Sequence, residues 1–164
     1  MNSKHYILFF AAFLLLITLG FLSDNDDNIS ENPTDIVPCE LFTSEQVSTV
    51  LPGHDEGFTA KSGGSLMKGV DSYQCSYTND NTDLFTVIVH VAANEERFSW
   101  IKPDLTLGTK IKLGDGGCLI SESDELKLEA SKGLKVIELD LIAPGAKEKS
   151  DALIKLASVL LEKI

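Results

Sequence analysis

Three cysteines, Cys39, Cys75 and Cys118, and two histidines beyond the first 22 residues, His54 and His90, are the side chains from which nucleophilic, redox or metal chemistry would be assembled. A thiol nucleophile needs a lowered pKa, supplied by a neighbouring base or a helix N-terminus. Cys118 instead has Asp115 and Glu122 near it in sequence, so local charge opposes activation. His54 sits in a Pro-Gly turn and His90 in a strand, and only folding could bring either to Cys118. Cys118 is therefore expected to be a free thiol, buried and inert. No Ser-His-Asp arrangement is signalled by local sequence, and serines in loops follow from turn chemistry alone. No catalytic residue is assigned.

Zinc is unsupported, because the cysteines stand 36 and 43 positions apart (75 − 39 and 118 − 75) and neither histidine has a close ligand partner. Asp24, Asp26, Asn28, Ser30, Asn32 and Asp35 fall at positions 1, 3, 5, 7, 9 and 12 of an EF-hand-like loop. Ile29 replaces the glycine of its sharp turn and flanking helices are missing, so the run reads as a solvated acidic tether. Gly114 to Gly117 leads into a strand and reads as a tight turn, not a phosphate cradle. No metal or other cofactor is expected. Phe98, Trp100 and Ile101 lie on a short helix, as core residues or as an exposed binding patch.

The elements that hold these residues begin with an export segment. Residues 6 to 22 carry no charge and are mainly Phe, Leu, Ile and Ala, preceded by Lys4 and followed by Asp24, Asp26 and Asp27. That is a signal peptide or a short signal anchor, spanning residues 1–23. Lys4 stays on the cytoplasmic side, so everything after Ser23 is expected outside, periplasmic or secreted, or anchored by the N-terminal helix. Residues 24–37 form the acidic flexible tether, and 38–164 the exported domain. Thirteen basic against 25 acidic residues leave the part after Ser23 at −12. That field disfavours nucleic acid and anionic lipid surfaces and steers a basic partner in. Membrane contact is expected only through the N-terminal segment, if it is retained.

The domain reads as α+β: a mainly antiparallel sheet of about five or six strands, with a short N-terminal helix and a C-terminal amphipathic helix packed on it. Thr43 caps the first helix, with Gln46 three residues later. Strands are predicted over 71–78 and 84–92, joined by turn residues 79–83, followed by a helix over 95–101 ended before Pro103. Three more strands are predicted over 118–121, 125–130 and 134–142, the last two joined by a three-residue turn at 131–133. Their period places Leu126, Leu128 and Ala130 inside with Ile137, Leu139 and Leu141, and leaves Glu125, Lys127, Glu129, Glu138 and Asp140 in water. Leu153, Leu156, Ala157, Leu160 and Ile164 recur at helical spacing behind Ser150 as cap.

In an oxidising compartment two of the three cysteines pair. Sequence permits all three pairings. Cys39 with Cys75 is preferred, because it staples the first helix to the first central strand and closes a loop worth about 3–4 kcal/mol in the chain-entropy model. The run Pro38-Cys39-Glu40-Leu41-Phe42-Thr43, a short helix, then Cys75-Ser76-Tyr77 entering a hairpin resembles a family of small exported lipoprotein-type domains common in actinobacteria. That family carries Pro-Cys-x-Leu-Leu-Thr and later Cys-x-Trp or Cys-x-Tyr. The resemblance implies an α+β fold and a paired Cys39 and Cys75. It implies no agreed activity, and the family's lipid-modified cysteine has no counterpart in the first 38 residues.

These readings favour an extracytoplasmic, non-enzymatic binding module for a protein, such as a basic extracytoplasmic one, or a small ligand. A thiol-dependent or redox protein using Cys118, and a structural envelope protein, are the alternatives. An exposed Cys118 beside His90 or His54 would favour the thiol reading.

Overall fold

The computed structural model of the chain describes residues 36–62 and 67–164. The run expected to be an export segment, most of the expected acidic tether and the EF-hand-like run lie outside the described residues. Among the described residues no helix is long and apolar enough to cross a membrane.

Helix α1 (Ser44–Ser48) starts as its sequence dictates: Thr43 Oγ1 accepts from Gln46 N–H, and Gln46 Oε1 accepts from Thr43 N–H at 2.9 Å, a complete capping box. A 3₁₀ turn, Pro38–Glu40, precedes it. Then come β1 (Phe58–Ser62), β2 (Val70–Thr78) and β3 (Leu84–Ala92), with helix α2 (Glu95–Ile101) after them. β4 (Thr109–Ile111), β5 (Gly116–Ser121), β6 (Glu125–Lys132) and β7 (Lys135–Ile142) follow, and helix α3 (Ser150–Lys163) closes the chain.

The strands form one sheet in the order β1-β2-β3-β7-β6-β5-β4, with every neighbour antiparallel. The fold class is α+β as the pattern implied. The sheet gains two short edge strands, β1 and β4, that lack the alternation by which strands are recognised. The β6–β7 turn is also tighter than expected: Lys132 pairs with Lys135, so the loop is Gly133-Leu134, with Gly133 at φ 58° in the position where a two-residue hairpin needs glycine. Ser150 is the first residue of α3 and gives no cap; its hydroxyl donates back to Lys147 O.

The core lies on one face of the sheet. Tyr73, Cys75 and Tyr77 of β2, Phe85, Val87 and Val89 of β3, Ile137, Leu139 and Leu141 of β7, and Leu126, Leu128 and Ala130 of β6 are all buried. Val47, Val50 and Leu51 of the α1 region and Leu153, Leu156, Ala157, Leu160 and Leu161 of α3 cover them. Lys135 Nζ donates to Ile164 O at 3.2 Å and Lys132 Nζ to Leu161 O, placing cations where the α3 dipole is negative.

Candidate functional site

Period two and antiparallel register decide what stands on the other, outer face. The pairs Ser72↔His90↔Val136, Gln74↔Ile88↔Glu138↔Glu129↔Cys118 and Ser76↔Thr86↔Asp140↔Lys127↔Ile120 form three rows across it. His90 links strands: Nδ1 lies 2.7 Å from Ser72 Oγ and Nε2 lies 3.0 Å from Glu138 Oε1. Glu138 Oε2 accepts from Lys127 Nζ at 3.0 Å, and Lys127 also reaches Glu129 Oε1 at 2.8 Å. The result is a continuous polar chain, Ser72-His90-Glu138-Lys127-Glu129, over four strands.

The electrostatics follow from that chain. The hydrogen bond from His90 outweighs burial, and Lys127 adds to it, so the Glu138 carboxyl is depressed to about 2. Burial pulls Lys127 down, but its hydrogen bonds to Glu129 and Glu138 win and hold the ammonium above the usual lysine range. Asp140, opposite Lys127 in register, forms no ion pair with it and feels that cation only as a minor opposing charge. Burial, reinforced by Glu125, raises its carboxyl, and Oδ1 is buried without a hydrogen-bond partner among the described residues. Lys127, Glu129, Glu138 and Asp140 were expected in open water; they are half-buried instead, because their neighbours on the face shelter one another. Glu125 alone of that set is exposed.

With a hydrogen on Nε2, His90 donates to the carboxylate of Glu138, which leaves Nδ1 to accept from Ser72 Oγ. Such a relay can polarise a hydroxyl. Acyl transfer also requires oxyanion donors, and β2 is flanked by β1 and β3, so its backbone N–H groups are consumed by the ladder. The chain is built to hold charge in place. Local sequence gave no sign of it; the hairpin register of β2 with β3 was the signal that pairs Ser72 with His90.

Cys39 and Cys75 are joined, with a Cα–Cα separation of 5.2 Å, stapling the Pro38–Glu40 turn to β2 on the core face. Tyr77 O–H donates to Cys39 O at 3.4 Å beside it. Cys118 is free and 1 % exposed. It stands on the outer face of β5, three strand spacings or roughly 14 Å from the β3 line that carries His90. His54 is engaged elsewhere, edge-on to Tyr77 and hydrogen-bonded to Ser44 O at 3.1 Å. Neither histidine attends the thiol. Phe98 and Ile101 of α2 are half-buried, whereas Trp100 is 50 % exposed with Arg97 stacked on it at 4.0 Å. Among the described residues no three His, Cys, Asp or Glu side chains converge to hold a metal ion. No family model, curated protein or solved structure matches the chain.

Proposed function

We propose that the domain is an extracytoplasmic, non-enzymatic binding module that presents the outer face of its sheet to a basic protein. The observation that carries this reading is the charge of that face: Glu125, Glu129, Glu138 and Asp140 surround Lys127 on adjacent strands, with Lys110 a second lysine of the face, out on edge strand β4. Hydrogen bonds fix three of these groups in place, so the field costs little reorganisation when a partner arrives. The part of the chain after Ser23 is at −12 and reinforces the steering. The Cys39–Cys75 disulfide supports a location outside the cytoplasm. Cys118, only 1 % exposed, lacks the access that a thiol mechanism needs.

The test is titration of the isotopically labelled protein with a deca-lysine peptide, followed by NMR. Shifts confined to the outer-face residues of β6 and β7, weakening steeply with salt, are expected. The triple change Glu125→Gln, Glu129→Gln and Asp140→Asn should weaken the interaction by roughly tenfold. Shifts scattered over the whole surface, or unaltered in the triple variant, would remove the reading.

A further inference from the structure

The chain contains one arginine and one tryptophan, Arg97 and Trp100. They are i, i+3 neighbours on α2, and the guanidinium carbon lies 4.0 Å from the indole centroid. The Arg97 stem is braced by the turn before β2: a Cβ on Gly69 would meet Arg97 Cγ at 3.1 Å and Nε at 3.2 Å. That turn is itself tied down, with Gly69 O accepting from Ala93 N–H and Met67 O from Val70 N–H. Met67, 39 % exposed, and the exposed Lys68 stand in the same turn. Glu95 and Glu96 open α2 and Asp71 follows the turn, yet among the described residues the Arg97 guanidinium has no carboxylate partner.

From this we infer that Arg97, Trp100 and Met67 form a docking site for the free C-terminal carboxylate of a peptide ending in apolar residues. Stacking fixes the plane of the guanidinium, and its in-plane N–H groups match the two oxygens of a carboxylate. Lys68, exposed in the turn that braces the Arg97 stem, is a second cation of that segment. The indole and the thioether supply the apolar contact for the last side chains. Anionic lipid is another source of oxyanions. A continuous anionic surface meets the whole net charge of −12, whereas one carboxylate meets chiefly the charges within a screening length of about 8 Å. The site is independent of the acidic face and stands or falls without it.

Because Trp100 is the chain's one tryptophan, its emission reports on this site alone. The full chain in neutral detergent is titrated with acetyl-Ala-Leu-Phe carrying a free carboxylate, and with the same peptide as its amide. The acid should give a saturable change and bind roughly tenfold or more tightly than the amide. Arg97→Gln should abolish that preference, and Arg97→Lys should retain only a minor part of it. Calorimetry on Trp100→Phe should show weakened binding of the acid. Equal binding of acid and amide, no saturable change up to about 10 mM peptide, weaker than millimolar affinity, or a response to phosphatidylglycerol vesicles alone would overturn the assignment.

Discussion

Asp140 and Glu138 sit two positions apart in β7, on the same face, and carry opposite consequences for stability. Glu138 is depressed to about 2 from an unfolded value near 4.3, so its contribution is fully present above about pH 4.3 and is lost as pH falls through about 2. Urea midpoints should therefore drop between about pH 4.5 and 2, and Glu138→Gln should flatten that slope. Asp140 is raised, so in the folded state its ionised form is the disfavoured one, and it destabilises the fold above its folded pKa. Asp140→Asn is expected to raise the thermal midpoint at pH 7 by roughly 2–5 °C. The gain should vanish in acid, where Asp140 is already neutral. Thermal unfolding at pH 7 and pH 3 checks both, and a gain of equal size at the two pH values would contradict the charge argument. None of this was legible residue by residue, since both carboxylates looked like ordinary outward-facing strand positions.

At the scale of elements, what the sequence revealed depended on how strongly a segment repeats its own period. β2, β3, β6 and β7 carry an apolar period-two face along most of their eight or nine residues, and each lies where that period placed it. β1 and β4 do not alternate and owe their pairing to neighbours already in place, which a local reading does not see. Capping chemistry was legible at Thr43, because the box needs only the Thr-x-x-Gln spacing; Thr43→Ala should cost about 1 kcal/mol. The Gly133-Leu134 loop was misjudged by one residue, because register and not composition sets loop length. The disulfide belongs to this scale as well. Cys39 lies in a turn of three residues that could not hold itself against β2 by burial alone. Replacing Cys39 and Cys75 together by serine should cost about 3–4 kcal/mol by chain entropy. Amide exchange should accelerate most from Cys39 to Leu51, and a uniform acceleration across the sheet would show that the staple supports more than this corner.

At the scale of the described domain, one covalent bond secures the Cys39 corner, and its formation depends on the redox state of the compartment in which the chain folds. Cys75 is fully buried beneath Gly57 and Tyr77, so reductants reach the bond only when this corner opens. Once formed outside the cytoplasm it should persist, and a cytoplasmic form should fold less tightly by the cost of the missing loop closure. The prediction follows from comparing the native chain with a version begun at Ser23, which lacks the apolar run of residues 6–22 proposed to direct export. Rapid alkylation of intact cells, then mass spectrometry, should find Cys39 and Cys75 unmodified and joined in the native chain. Cys118, 1 % exposed, should react only after denaturation. In the shortened chain all three thiols should be modified after denaturation, and the folded level should fall several-fold through turnover of the destabilised form. An oxidised pair in the shortened chain, or reduced cysteines in the native one, would separate the disulfide from export and with it the argument that the acidic face meets its partner outside the cell membrane.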